Sequence, residues 1–345
     1  MKLQLHAFEL PLQHVFTISR ESTEVQPTLV VELVDEGIHG FGESTTNEYY
    51  GFTLENMALA LERVRDDVEA WGSGDPAELW QQLNSVLGNN PFAQCALDQA
   101  AHDLWGKKQG KPLYQLWGLD ASQIPISDYT IGIDRIDVMV AKMQEFPDWP
   151  VYKIKLGTSK DLEIVRELRR HTNAVFRVDA NCAWTPEETI RNAKELKELN
   201  VEFIEQPLAA DKWEDMRRVY EASALPVIAD ESCIRESDVQ RCHGCFHGIN
   251  IKLCKCGGLT PARRMINQAR ELGLKVMVGC MTESTVAISA IAQLLPLLDY
   301  VDMDGAVLLA KDIATGVRLE RGRCIYPAVN GTGAQLIRSG RMDLF

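Results

Sequence analysis

The chain reads as an α/β protein, a parallel barrel of the TIM type with a small α+β domain in front of it. Three observations point there. From about residue 126 apolar strand-like runs alternate strictly with helical patterns, and there are eight such runs. Three consecutive runs close on a carboxylate, at Asp179, Glu205 and Asp230, each one strand plus one returning helix after the last. The first third lacks this alternation and places strands before helices.

Taken in order, residues 2–10 and 28–44 read as antiparallel strands, the second group turning at Asp35-Glu-Gly37. Leu54, Met57, Leu61, Val64, Val68 and Trp71 form one helical stripe over 54–71. A second helix over about 92–108 carries Ala96, Leu97, Ala100, Ala101 and Leu104. The eight strands then fall near 126–131, 151–156, 175–179, 202–205, 227–230, 248–253, 275–280 and 299–303. Thr185-Pro-Glu-Glu188 supplies an N-cap, a proline at the first helical position and a capping-box glutamate. Thr260-Pro261 repeats that start, and Gly273 is placed as a C-cap. In a barrel of such units the chemistry sits at the carboxyl ends of the strands. An open doubly wound sheet fits less well, because no Gly-rich phosphate turn follows the first strand. Beyond 320, Ile325, Tyr326, Leu336 and Ile337 predict a tail that packs back.

At 345 residues the chain suits one large domain plus a smaller one. A net charge of −13 argues against nucleic acid or an anionic membrane as partner, though not against a small anionic substrate. No apolar run is long enough to span a membrane, and the opening Met1–His14 stretch lacks the pattern of a signal peptide. Nine scattered cysteines suit reduced thiols, so a cytoplasmic location is expected.

Parallel strands bring their carboxyl ends together, so Asp179, Glu205 and Asp230 form an oxygen cage for a hard dication. With no histidine among them, Mg²⁺ or Mn²⁺ suits better than Zn²⁺. Asn181 and Glu231 are natural groups to support the ligands from behind. Lys153 and Lys155 lie at i and i+2 and share the interior face of an apolar strand. Repulsion and desolvation are expected to lower their pKa, which makes a lysine a base near neutrality. Lys252 lies four strands from Lys155 and should face it across the barrel mouth. A dication with a lysine on each side suits abstraction of the weakly acidic proton next to a carboxylate, through an enediolate whose charge the metal stabilises. One lysine removes the proton and the other returns one to the opposite face, which is a racemase or epimerase. With a leaving group present, the same site could eliminate or cycloisomerise.

These residues resemble the enolase superfamily, in its muconate-lactonizing subgroup. The matching stretches are Lys153-Ile-Lys155, Asp179-Ala-Asn181, Glu205-Gln-Pro207, Ala229-Asp-Glu-Ser232 and Asn250 to Gly258. In the first domain they are Ala96-Leu-Asp98, Asp103 to Lys107 and Lys111-Pro-Leu-Tyr114. That superfamily is itself a standing case of a lysine base working beside Mg²⁺, so the general mechanism comes with the resemblance. The resemblance implies a modified (β/α)7β barrel over 121–322, an α+β capping domain over 1–120, and a segment over 323–345 that returns to the cap. It implies metal ligands at Asp179, Glu205 and Asp230, an acid/base pair at Lys155 and Lys252, and a carboxylate-neutralising role for Lys153. Self-association is implied as well. The mandelate-racemase branch uses a late-strand histidine, and no histidine follows His247.

On the eighth strand Asp302 and Asp304 share a face at i and i+2, and together could bind an ammonium group. This Asp-x-Asp resembles the dipeptide epimerases of the family, in which it holds the substrate's amino terminus, and Gly279 to Ser284 resembles their seventh strand. Phe16-Thr-Ile-Ser-Arg20 resembles the loop of the capping domain that covers the pocket, with Arg20 placed to meet an acidic side chain. The expectation is a Mg²⁺-dependent epimerase acting on a small dipeptide, first of all L-Ala-D/L-Glu. Muconate-type cycloisomerase or o-succinylbenzoate synthase activity is the enzymatic alternative. A non-catalytic binding barrel is the alternative of another class, but it has no use for both lysines. Cys242-His-Gly-Cys245-Phe-His247 and Cys254-x-Cys256 carry zinc-type ligands, yet read better as buried small side chains.

Overall fold

Two backbone conformations with positive φ, Glu36 at 51° and Gly37 at 79°, close the first tight hairpin. They join β2 (Ser22–Asp35) to β3 (Ile38–Thr45), and β1 (Lys2–Thr17) pairs antiparallel with the other edge of β2. The computed structural model of the chain describes residues 1–337. Strands β1 and β2 run beyond the expected 2–10 and 28–44, to a Thr17–Ser22 pair at the tip of a long arm. The arm is largely exposed on both faces, so it carries no apolar alternation to read.

The stripe over 54–71 is two helices, α1 (Leu54–Glu62) and α2 (Arg65–Ala70). Val64, at φ −109° and ψ 8°, leaves the helical region between them. Val64 and Val68 remain buried across the break, which is why periodicity alone reads one helix. Helix α3 (Pro76–Leu87) is an addition to the sequence reading. Asp75 caps it by accepting from Ala77 N–H, Pro76 opens it, and Leu79, Leu83 and Leu87 are buried. Helix α4 (Pro91–Lys108) is buried on almost every side, and a short α5 (Leu113–Leu116) follows.

Helix α4 lies close on β3 because Gly40 and Gly42 present no side chain to it. A Cβ on Gly42 would meet Ala96 O and come within 2.5 Å of Ala100 N, backbone atoms that cannot swing away. Gly42→Ala should therefore destabilise the chain by about 1–3 kcal/mol. The check is a denaturant midpoint that falls while the slope of the transition is kept.

The barrel follows as β4 (Tyr129–Ile131), α6 (Ile136–Glu145), β5 (Val151–Lys155), α7 (Asp161–Arg169), β6 (Val175–Asp179), α8 (Pro186–Glu198), β7 (Val201–Glu205) and α9 (Trp213–Ala222). Then come β8 (Val227–Ala229), α10 (Glu236–Cys242), β9 (Gly248–Lys252), α11 (Leu253–Cys256), α12 (Leu259–Glu271), β10 (Lys275–Gly279), α13 (Thr285–Ala292) and β11 (Tyr300–Asp302). Strands β4 to β11 pair in sequence order, each parallel to the next, and a parallel bridge from Ser127 to Val301 brings the two edges together. Seven crossovers carry helices, and β11 runs instead into a 3₁₀ turn over Gly305–Leu308, so this is a (β/α)7β arrangement.

Two carboxylates of the first domain dock it on the barrel, and a third holds the returning tail. Asp98 on α4 accepts from Thr260 N–H (2.9 Å) and Oγ1–H (2.7 Å), capping α12. Glu43 on β3 accepts from Ser284 and Ala287 N–H, each at 3.1 Å, capping α13. Asp103 accepts from Thr332 N–H at 2.8 Å in the returning tail. The tail bonds the first domain again through Gly331, which accepts from Leu113 N–H and donates to Lys111 O, each at 3.0 Å. Of the four apolar residues expected to pack back, Tyr326 donates to Ala292 O at 2.6 Å and Leu336 is half-buried. Ile325 and Ile337 are exposed. Ile325 follows buried Cys324 in the two-stranded ribbon β13 (Arg318–Glu320) and β14 (Arg323–Ile325), where neighbouring side chains take opposite faces. A second ribbon, β12 (Ala314–Thr315) with β15 (Gln335–Leu336), ends the described chain; residues 338–345 of the returning segment lie outside it.

Candidate active site

The register of the parallel strands decides which side chains meet. Asp179 pairs with Glu205, and Ile228 pairs with Glu205, so Asp230 sits two residues further towards the mouth. Oxygen atoms of Asp179, Glu205 and Asp230 lie within 4.8 Å of one another, and all three side chains are buried. Glu205 Oε2 is 2.8 Å from Lys153 Nζ but receives no well-directed hydrogen bond. A buried oxygen left so, beside two further carboxylates and no softer donor, fits a hard divalent cation. Asn181 N–H donates to Asp179 Oδ1 at 2.9 Å, and Asn250 Nδ2 donates to Glu205 Oε1 at 2.8 Å.

Lys155 and Lys252 stand at the carboxyl ends of β5 and β9, four strands apart in an eight-stranded ring, and both line the cleft. Lys155 Nζ is 2.7 Å from Asp179 Oδ2, and Lys252 Nζ is 2.9 Å from Asp230 Oδ2. Lys153 points inward as expected but lies below the cleft, 2.8 Å from Asp302 Oδ2 and 3.3 Å from Asp179 Oδ2. The lowering expected of a buried lysine's pKa is reversed at Lys153 and at Lys252. Burial opposes the charge of Lys153, but Asp302, Glu205 and Asp179 outweigh it and hold the group well above its usual range. Burial likewise opposes Lys252, and Asp230 outweighs it. Each buried ammonium has met a carboxylate, and that attraction exceeds the desolvation considered from sequence.

Asp302 and Asp304 both line the cleft, in different states. Burial works against the Asp302 anion, but Lys153 outweighs it and keeps the carboxyl ionised; its Oδ1 has no partner. Asp304 stands just past β11 and accepts from Thr130 N–H (2.5 Å) and Oγ1–H (3.2 Å). Burial, then the Asp302 charge, pushes Asp304 up to about 8. This end of the cleft therefore offers one anion beside a neutral acid.

The arm of β1 and β2 lies across the mouth. Ile133 N–H donates to Thr17 O at 2.8 Å, and Ser19 Oγ–H donates to Asn181 O at 3.1 Å. Arg20 lines the cleft, 4.3 Å above the Tyr49 ring, and donates to Glu231 Oε1 at 2.8 Å. Glu231 faces the cleft as well, its Oε2 unpartnered. The cavity volume of the cleft is about 90 Å³.

Sequence reasoning passed over several contributors. Asn250 lies two residues before Lys252, and the i, i+2 rule already applied to Lys153 and Lys155 would have found it. A Cβ on Gly279 would stand 2.7 Å from Asn250 Oδ1, so that glycine makes its room. Gln206 Oε1 accepts from Asp230 N–H (2.9 Å) and Ser232 N–H (3.1 Å), fixing the turn that presents Asp230. Lys255 is buried against Asp230, and its trace is a lysine set among small buried residues, Cys254-Lys-Cys256. The cysteines around the Cys242 and Cys254 pairs are free, and among the described residues they form no cluster with metal-ligand spacing. No described helix is long and apolar enough to cross a membrane.

Residues 4–118 match the family model for the mandelate racemase / muconate lactonizing enzyme N-terminal domain, and residues 138–339 match the enolase C-terminal domain-like model. An L-Ala-D/L-amino acid epimerase of Flavobacterium johnsoniae is 59% identical, over 98% of this chain and 100% of its own. An L-Ala-D/L-Glu epimerase of Bacteroides thetaiotaomicron is 39% identical, over 98% and 88%. Among solved structures, a dipeptide epimerase of Methylococcus capsulatus in complex with Mg and the dipeptide L-Arg-D-Lys superposes with a TM-score of 0.87. It is 33% identical, over 97% of this chain and 99% of that one.

Proposed function

This chain belongs to the mandelate racemase / muconate lactonizing enzyme family of the enolase superfamily, and we propose that it epimerises dipeptides at the α-carbon of the C-terminal residue. The observation that carries the reading is the pair Lys155 and Lys252, facing each other across a three-carboxylate cage in one cleft. Lys155 takes or returns the α-proton on one face of the substrate, and Lys252 does so on the other. Held by Asp179, Glu205 and Asp230, Mg²⁺, or Mn²⁺ with the same oxygen preference, would supply positive charge against the substrate carboxylate as its α-proton leaves. Asp302, ionised and with a free oxygen, takes the dipeptide's ammonium group, and neutral Asp304 adds a polar contact without a second charge. Lys153 fixes Asp302 and Glu205 from below.

The second side chain of the dipeptide would lie towards Arg20. That guanidinium is already paired with Glu231, whose carboxyl also faces the cleft, so an acidic side chain would meet a cation whose charge is already answered. This supports an L-Ala-D/L-amino acid epimerase with a wide choice of second residue, acidic ones among them, over one restricted to glutamate. The matching division of the chain is a cap over 1–120, a barrel over 121–322 and a returning segment over 323–345.

Pooled L,L-dipeptides in D₂O with Mg²⁺ test the reading by mass spectrometry. A one-deuteron gain in L-Ala dipeptides is expected. Asp302→Asn should raise KM for them strongly, because a neutral amide replaces the ion that meets the ammonium. No deuteron gain in any pool, with metal bound, would move the assignment to cycloisomerase or synthase chemistry, where no ammonium is bound.

A further inference from the structure

Each of the two proton-carrying lysines shares its carboxylate with a second lysine set outside the cleft. On one side Asp179 lies between Lys155 at 2.7 Å and Lys153 at 3.3 Å. On the other, Asp230 lies between Lys252 at 2.9 Å and Lys255 at 2.5 Å. Lys155 and Lys252 line the cleft, whereas Lys153 and Lys255 do not, and each of these is 1% exposed. Each half thus sets a buried lysine behind the carboxylate, on the same oxygen as the cleft lysine at Asp179 and on the other oxygen at Asp230. Lys153 comes from the strand that carries Lys155, and Lys255 comes from α11, the short helix that follows Lys252.

We propose that Lys255 is a positioning residue for the Lys252 face of the reaction. Its ammonium donates to Asp230 Oδ1 (2.5 Å) and to the backbone oxygens of Asp230 (2.6 Å) and Cys233 (3.1 Å), with Asn250 O at 3.4 Å. One cation therefore grips the main chain and the carboxylate of the same residue, and three close oxygen acceptors use up the three N–H donors of the ammonium. Asp230 Oδ1 is occupied, the carboxylate plane is fixed, and Oδ2 alone is presented to Lys252. Gln206 holds the Asp230 N–H from the other side. With Lys255 removed, Asp230 could rotate and bond Lys252 through either oxygen, and the lysine would lose its aim at the substrate. A misplacement of this size in a reacting group costs orders of magnitude in rate.

The inference rests on Lys155 and Lys252 as the two proton carriers, and the test separates the two claims. In D₂O each dipeptide epimer can exchange its α-proton without inversion, through the lysine it faces. The Lys155→Ala chain shows which epimer faces Lys252, since only that one still exchanges. Lys255→Met should then slow exchange of that epimer at least tenfold more than exchange of the other. A crystal structure of the metal-free variant should show Asp230 turned from its place beside Lys252. A merely structural role would slow both epimers alike, and that result overturns the proposal, as does equal exchange in variant and parent. Lys255→Gln, which keeps an NH₂ group with two N–H donors, should recover part of the face selectivity. A chain that folds with neither substitution makes Lys255 a folding element and overturns the proposal too. Absence of exchange in the unsubstituted chain would instead sink the epimerase reading itself.

Discussion

Lys155→Ala will lose epimerisation by about 10²–10⁴-fold, while α-proton exchange survives in one epimer only. The size is that of removing a positioned acid/base group, and the asymmetry follows from geometry. Lys155 and Lys252 stand four strands apart in the ring, so each reaches one face of a substrate held between them. Inversion needs both faces, whereas exchange without inversion needs one. The substitution is tolerable for the fold because Asp179 keeps its other partners. Asn181 donates to it from N–H at 2.9 Å and from Nδ2 at 3.3 Å, and Lys153 stays 3.3 Å away. No buried carboxylate is left bare, which is the usual cause of a large loss of stability. Proton NMR in D₂O, with the epimers separated chromatographically, reads both quantities. Undiminished epimerisation would end the two-base mechanism. Loss of exchange in both epimers would mean that Lys155 also binds substrate. Lys252→Ala should give the mirror result, with the other epimer exchanging.

The parts of this site that the sequence made legible are those whose position follows from strand periodicity. Asp179, Glu205 and Asp230 each close an apolar run, and a parallel sheet must gather the ends of such runs. Lys153 and Lys155 share a face by the alternation of side chains, and counting strands placed Lys252 opposite. The cap was less legible. Helix α3 is signalled only by Asp75-Pro76 and a short stripe, and the break at Val64 is invisible because the residues on both sides stay buried. What the sequence could not yield was partnership. Arg20 looked like a free guanidinium for an acidic substrate, until its bond to Glu231, 211 residues away, showed the charge already met. The raised pKa of Lys252 has the same origin, since desolvation can be foreseen from an apolar strand but the carboxylate that answers it cannot. Lys255 hides for a further reason. It lies on α11, a helix of one turn, where neither the period of a strand nor that of a helix is established.

Metal affinity should fall as the pH drops through about 7, and Glu205→Gln should remove that dependence together with most of the affinity. Burial, and then the nearby Asp179 charge, push the Glu205 carboxyl up to about 7 in the metal-free chain. A raised value for an acid means that the proton is held more tightly, so near neutrality about half of the chains must shed it before the oxygen can serve a cation. Below pH 7 one proton competes with the metal, and the apparent affinity should fall by about tenfold per pH unit. Above that value Glu205 is ionised already and its part of the dependence levels off. Asp179 and Asp230 act differently. Burial opposes their charge, but Lys155 outweighs it at Asp179 and Lys252 outweighs it at Asp230, which leaves both ionised across this range. The glutamine variant imitates the protonated glutamate in shape, and its oxygen can still accept from Asn250 Nδ2, at 2.8 Å from Glu205 in the parent chain. Its thermal unfolding without metal should therefore stay near that of the parent at pH 6. Calorimetric titration with Mg²⁺ at pH 6, 7 and 8 measures the affinity directly. A glutamine variant that binds as tightly as the parent would remove Glu205 from the ligand set, and a parent affinity that does not change over that range would mean that the Glu205 carboxyl is ionised already at pH 6. Addition of a chelator to the parent should abolish deuteron exchange in both epimers, and fresh Mg²⁺ should restore it, because the two lysines serve a substrate carboxylate whose charge needs the cation.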